Sequence, residues 1–300
     1  MTTTIQSKRR RFQLNRRLAP YLFILPNMAI FAVFIIWPAI NGFNISFYDS
    51  NNGRTFTYVG LDNYAEILTD ADFWEVARNT TIFVVLFVML TTWLSIFLAS
   101  LLNAQVFGRG FFRAVLFLPV LLSPIVVGLL WNWIFDRQAG LFNGVLNTLG
   151  LGSPAWLVDG SLAMGVIVFV GIWTHVGFYT LILLAGLQGI DQSVYEAARL
   201  DGAGIWKTFT EITLPLLRPT TLVIIVLSMI AGFQAYDYIY TLTGGGPLGS
   251  TTLIVQYIYE NAFQSPIRYG LASAAGVLLF LVIFGVTLVN FLLGRRKGAV

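Results

Sequence analysis

Charge along the chain is interrupted by six long runs that carry none: residues 18–48, 79–108, 114–135, 160–190, 219–236 and 269–294. Crossing about 30 Å of hydrocarbon takes roughly 20 apolar residues in a helix. Helix rather than strand is expected, because each segment must satisfy its own backbone N–H and C=O groups. The pattern predicts an all-α polytopic membrane protein with six transmembrane helices. The fifth run is the shortest and has room to extend past Asp237. Residues 138–158 and 238–259 are also uncharged, but they are not counted as spans. The first holds Gly140, Gly144, Gly150, Gly152 and Pro154, and the second holds Gly244-Gly245-Gly246-Pro247. Such clusters punctuate a chain. Pro26 and Pro38 fall in the first span, Pro119 and Pro124 in the third. Proline removes a backbone donor, so both spans are predicted to be bent or broken, either as ordinary membrane kinks or as gating elements.

The charges between the runs set the orientation. Lys8, Arg9, Arg10, Arg11, Arg16 and Arg17 precede span one, and Arg109 and Arg113 separate spans two and three. Arg199, Lys207 and Arg218 separate spans four and five, and Arg295, Arg296 and Lys297 follow span six. These are fourteen cations on one side, against Arg54, Arg78, Arg137 and Arg268 on the other. The positive-inside rule puts the basic start, residues 1–17, and the tail, residues 295–300, in the cytoplasm. The basic start does not read as a removable signal: its apolar run is too long and no A-x-A site follows. The first outward stretch is acidic, with Asp49, Asp62, Glu66, Asp70, Asp72 and Glu75 among Phe56, Tyr58, Tyr64, Phe73 and Trp74. It reads as a small folded cap, a short surface helix that touches an outside partner, or a solvated loop.

Composition narrows the function. The 300 residues are 57% hydrophobic and 11% charged, too greasy for a soluble domain of this length. The net charge of +4, a hint of nucleic acid in a soluble protein, is here accounted for by the loops. Cysteine is absent, which excludes disulfides, thiol nucleophiles and Cys-ligated zinc. His175 is the single histidine, so neither a paired-His metal site nor a convincing Ser–His–Asp set is available. No catalytic constellation is expected.

One polar segment, residues 191–218, interrupts the grease. Ser193 followed by Glu196 fits a capping box, predicting a helix from about Val194. Ala197 and Ala198 favour helix and add little bulk. Gly202 suits a left-handed helix end. Ile205, Phe209 and Ile212 then recur at helical spacing with Trp206 beside them, and Pro215 is expected to stop that helix. Pro219 opens the next span. The first helix would offer a flat face flanked by Glu196, Arg199 and Asp201. Such a face suits docking into another protein's groove, or it belongs to a surface hairpin that connects two spans.

The residues Glu196-Ala197-Ala198, Asp201-Gly202-Ala203, Ile212 and Leu214-Pro215 resemble, without a gap, the EAA loop of ABC importer permeases. The resemblance implies a coupling helix, formed with Arg199, that docks into a cleft on an ATP-binding subunit. "FLPVLLSPIVVGLLWNWIF" from Phe117, "LAGLQGI" from Leu184, "YDYIYTLTGGGP" from Tyr236 and the stretch from Arg11 are similar to the first permease of the maltose and glycerol-phosphate type. Unlike the maltose permease, this chain has no large outer domain. The resemblance covers most of the chain and implies, for a transmembrane domain at residues 18–294, a bacterial inner-membrane importer with a second permease, two ABC ATPase copies, an extracytoplasmic solute-binding protein and a carbohydrate substrate.

No nucleotide site is visible in this chain. Gly202-Ala203-Gly204-Ile205-Trp206-Lys207-Thr208 is only a decoy, because a P-loop needs glycine directly before the lysine. ATP and Mg would be used by the partner. Polar groups inside spans tend to face a cavity. The candidate substrate pathway is Trp173, Thr174, His175, Phe178 and Tyr179 on span four, with Ser228, Gln234, Tyr236 and Asp237 on span five. Aromatics beside amides and hydroxyls suit sugars, although His175 bonded to a carbonyl and tyrosines in an interfacial belt would read the same. Gly270 with Ala274, and Ala272 with Gly276, permit close helix contact, between permeases or within the chain. The competing classes are an ion- or proton-coupled secondary transporter, a permease for a non-sugar solute such as glycerol phosphate, and an intramembrane enzyme. Secondary transporters usually need carboxylates in mid-span, and the charge-free runs contain none.

Overall fold

The computed structural model describes residues 5–104 and 108–296. The start of the basic N-terminus, residues 1–4, and the tail from Lys297 lie outside the described residues. The fold is helical, with one two-stranded sheet among the described residues. Four helices are long and apolar enough to cross a membrane, or up to six spans exist if two bent pairs count as one each.

The first rod runs through α1 (Ile5–Phe31), a π-helical turn (Ala32–Ile36) and α2 (Trp37–Ile45). Pro26 and Pro38 do not break it, which leaves the bent alternative of the expectation. Pro38 stands in the first turn of α2, and the widened turn closes with Trp37 N–H donating to the Ala32 carbonyl, so the missing proline donor is absorbed. β1 (Tyr48–Asp49) and β2 (Thr57–Tyr58) pair antiparallel, Tyr48 opposite Tyr58. They lead to α3 (Asp62–Thr69) and to α4 (Ala71–Asn103), capped by Asp70, whose carboxylate accepts from Asp72 N–H at 3.0 Å.

The third run is not a rod. α5 (Arg109–Phe117), a 3₁₀ turn (Leu118–Leu121) and α6 (Pro124–Ile134) bend by 101°, where Pro119 and Pro124 predicted a break. α7 (Leu141–Thr148) is short, as its glycines require. α8 (Gly160–Gln188) is the central rod, packed along α4. The polar segment forms α9 (Gln192–Leu200), α10 (Ile205–Thr208), a π turn (Phe209–Thr213) and α11 (Leu214–Leu216). α12 (Arg218–Phe233) leaves it at 67°. α13 (Asp237–Thr243) and α14 (Ile254–Phe263) flank the glycine turn, and α15 (Tyr269–Arg296) closes the chain.

The core is where α4, α8, α12 and α13 meet. Phe87 is fully enclosed there, stacked on Phe83. Lipid tails are as apolar as this interior, so the ring contributes through close packing rather than withdrawal from water. Glycines let the backbones approach it. A Cβ at Gly232 would lie 3.2 Å from the Phe87 ring, and one at Gly171 would lie 2.7 Å from the Tyr238 hydroxyl. At one end, Ile96, Ala99, Leu102, Tyr179, Leu183, Leu187, Leu217 and Ile224 form a second cluster with Phe209 and Leu214 of the polar segment. At the other end the acidic stretch is a folded cap. Asn63 Nδ2 donates to the Ser46 and Tyr48 carbonyls at 2.9 and 3.0 Å, and Tyr269 N–H donates to Ser50. Gly270 admits the Tyr48 carbonyl, so its small size serves this chain's own packing, as does the burial of Ala272 and Ala274. Gly276 meets nothing nearby.

Candidate functional site

The polar segment is built from local rules. Asp191, not Ser193, caps α9: its carboxylate accepts from Ser193 N–H at 2.9 Å, and the helix starts at Gln192. The capping-box expectation is therefore corrected. Both residues are good caps, but the backbone is extended at Asp191 and already helical beyond it. These hydrogen bonds, from the Ser193 backbone first and its side chain second, hold the Asp191 carboxyl below its ordinary range. At the other end Gly202 adopts φ +74°, donating to Arg199 at 3.1 Å, while Ala203 donates to Ala198 at 2.9 Å. This is a complete Schellman stop. Pro215 does not stop the following helix. The π turn before it already accommodates a prolyl residue, and the bend falls two residues later, at Leu217.

The segment has an inner and an outer face. Ala198 is buried, Ala203 is half-buried, and Leu214 and Pro215 are half-buried against the bundle. Leu217 is enclosed in the cluster formed by the ends of α4 and α8. Glu196, Ala197, Arg199, Asp201 and Gly202 face outward. Only one of the two alanines therefore contributes to an outer face. The larger apolar groups there are Leu200, Ile205 and Trp206, 89%, 92% and 77% exposed. Periodicity put Ile205 and Trp206 on an apolar face but did not show that this face is uncovered. Beneath the segment lies a cleft of about 390 Å³ lined by Ser100, Asn103, Tyr195, Arg199 and Thr213. The Thr213 hydroxyl donates to the Tyr195 oxygen at 3.5 Å across it.

The candidate pathway residues divide into two groups. In α8, Thr174 is buried and donates to the Val170 carbonyl at 2.8 Å. His175 Nδ1 pairs with the Gly171 carbonyl at 2.9 Å. A carbonyl only accepts, so Nδ1 carries the proton and Nε2 is the acceptor. The imidazole lies edge-on to Phe87 at 5.4 Å and stacks on Tyr179 at 6.1 Å. Ser228 of α12 is enclosed and donates to Ile225 at 3.1 Å. Trp173 packs edge-on against Trp131 at 5.3 Å, beside an apolar groove of about 760 Å³ that also holds Trp93. Phe178 is exposed. The second group sits past the end of α12. Gln234 and Asp237 are exposed, and Tyr236 lies against Tyr240 and Tyr259. Tyr259 and its neighbour Glu260 were not among the sequence candidates. The spacing of Tyr236 with Tyr240, and of Tyr259 with Phe263, one helical turn each, was the signal available for them.

Residues 91–298 match the family described as binding-protein-dependent transport system inner membrane component. The trehalose/maltose transport system permease protein MalF of Thermococcus litoralis is 38% identical over 280 residues, covering 92% of this chain and 94% of that protein. The sn-glycerol-3-phosphate transport system permease protein UgpA of Agrobacterium fabrum is 31% identical over 279 residues, covering 92% and 94%. A chain in the crystal structure of a bacterial ABC transporter that imports the acidic polysaccharide alginate superposes with a TM-score of 0.83 at 26% identity, covering 96% of this chain and 99% of that one. A second structure of such a transporter, in complex with an alginate pentasaccharide-bound periplasmic protein, gives 0.82 at 26% identity, covering 95% and 96%.

Proposed function

The chain belongs to the family of binding-protein-dependent transport system inner membrane components; it is a permease subunit of a sugar-importing ABC transporter, and we propose that residues 191–217 are the lever through which a separate ATPase drives it. The observation that carries this reading is the two-sided polar segment. Its inner face is packed into the bundle, while Leu200, Ile205 and Trp206 stand uncovered among the charges of Glu196, Arg199, Asp201 and Lys207. An apolar centre with a charged rim is the composition of a protein contact.

In this reading six spans cross the bacterial inner membrane, with both termini and the polar segment in the cytoplasm. The fourteen cations on that side support the orientation. A second permease completes the pathway, and two ATPase copies bind ATP and Mg. An extracytoplasmic binding protein delivers the solute, as in the alginate-transporter complex. Closure of the ATPases pushes α9. The push passes through Phe209, Leu214 and Leu217 into the ends of α4 and α8, which carry Thr174 and His175. Those residues, with Trp173, Phe178, Ser228, Gln234, Tyr236 and Asp237, flank the solute path.

The chain has no cysteine, which makes the test clean. A single Ala197→Cys in the assembled transporter should cross-link to the ATPase with a short bifunctional reagent, and ATP should change the yield. Labelling of that cysteine from the outer side, or cross-linking to no ATPase, would sink the assignment.

A further inference from the structure

Four aromatic rings from α13, with its cap residue Tyr236, and from the next helix α14 form a ladder beyond the end of α12. Tyr236 and Tyr240 lie 5.3 Å apart at 35°, Tyr236 and Tyr259 5.1 Å apart at 34°, and Tyr259 and Phe263 5.2 Å apart at 43°. Tyr240, Tyr259 and Phe263 face outward from the chain. Among the described residues, the three tyrosine hydroxyls make no hydrogen bond to protein. The ladder therefore offers ring faces and free hydroxyls together.

Two carboxylates border it. Asp237 follows Tyr236 and is exposed. Glu260 follows Tyr259 and is held in place: its Oε1 accepts from Gln256 Nε2 at 2.8 Å. Gln256 is itself buried, and its Nε2 also donates to the Gly244 carbonyl at 3.0 Å. Both carboxylates act electrostatically on Tyr236. No basic residue occurs between Arg218 and Arg268 to offset them, and Arg268 is engaged by Glu66. Across the stretches 46–80, 135–160 and 234–270, which form this end of the fold, ten carboxylates face four arginines.

Sugars present apolar C–H faces to aromatic rings and hydroxyl edges to carboxylates, which accept strongly from O–H groups. A uronate or a phosphorylated sugar brings its own negative charge against Asp237 and Glu260, and like charges brought together are a means of rejection. We propose that this ladder and its two carboxylates are the landing platform for an uncharged oligosaccharide and exclude anionic ones. The proposal rests on the sugar-import reading and its orientation. It separates this chain from the superposed alginate transporter and from the glycerol-phosphate permease, whose named solutes are anionic. The platform also continues the inner candidates, since Ser228 lies about 8 Å below the end of α12 at a helical rise of about 1.5 Å per residue.

The test uses the complete importer in nanodiscs and saturation-transfer NMR, with maltotriose as the neutral probe and trigalacturonate as the anionic one. Transfer to maltotriose is expected, and at least about fivefold less to trigalacturonate. Tyr259→Leu should reduce the maltotriose signal about fivefold, and Tyr259→Phe should retain it. Asp237→Asn combined with Glu260→Gln should bring the two probes within about twofold. Raising salt from about 50 to about 500 mM should narrow the wild-type preference only. Equal transfer to both probes in the wild type, or an unchanged signal in Tyr259→Leu as for a lipid-facing aromatic belt, overturns the platform. Uptake into vesicles with the cognate binding protein distinguishes the two levels. Import of a neutral sugar with an unaltered KM in Tyr259→Leu rejects the platform alone, whereas import of no sugar of any class rejects the reading beneath it.

Discussion

Arg268 and Glu66, 202 residues apart, meet in a two-pronged ion pair that ties α3 to the start of α15. The arginine's hydrogen bonds, more than its field, hold the Glu66 carboxyl below its ordinary value of 4.5. A lowered carboxyl contributes stability above that value and loses it as pH falls through the lowered one. Both side chains are more than a third exposed, so solvent screening limits the contribution to about 0.5 kcal/mol. Wild type should therefore melt slightly above Glu66→Gln at pH 7, with the gap closing towards pH 3. A gap that is constant with pH contradicts the pairing.

Gly202 tests the lever from within. A Cβ there would meet open space, so the cost of Gly202→Val is the left-handed backbone alone, about 1–2 kcal/mol. Leu200→Glu leaves the stop intact but puts charge at the centre of the outer face. Both variants should reach the membrane. Leu200→Glu should lower ATPase co-purification about tenfold, and Gly202→Val should do so less severely. Undiminished recovery with Leu200→Glu counts against the docking face.

Gly177 faces the Leu116 carbonyl of α5 so closely that any side chain collides with backbone. Backbone cannot rotate away as a side chain can. Gly177→Ala should cost about 2 kcal/mol, read as a lowered melting temperature in detergent. Gly165, with open space around it, is the control and should tolerate alanine.

Asn63 is buried and satisfies two carbonyls at once. Asn63→Leu leaves both without a donor, at about 2–3 kcal/mol. Hydrogen exchange of residues 46–70 should accelerate while α8 is unaffected. Uniform acceleration of both would mean that the cap does not fold as its own unit.

The long rods were legible because charge is costly in hydrocarbon, so its absence marks them. The bend at Pro119 and Pro124 was legible for the same local reason that left Pro38 open: proline always removes a donor, but whether the helix breaks depends on whether a π turn takes up the slack. Most of the proposed docking residues, Glu196 to Ala203, form one contiguous stretch, which a sequence displays whole. Which alanine faces outward depends on how α9 sits against α4 and α8, and Ala197 and Ala198 are chemically identical. The Tyr236–Tyr259 contact joins residues brought together by the turn at Gly244–Gly246. No periodicity reaches across that gap, so of the ladder's four rings only Tyr236 stands among the sequence candidates.

The rod Leu18–Ile45 has none of its apolar side chains fully enclosed by the rest of this chain, and its contacts with the other elements are those of α2 with α15 and β1. It draws almost nothing from the domestic core. Amino-acid changes along its length should barely register when the isolated subunit is melted, yet they alter whatever company the rod keeps, whether acyl tails or neighbouring protein. For most of those twenty-eight positions the selective environment lies outside this polypeptide.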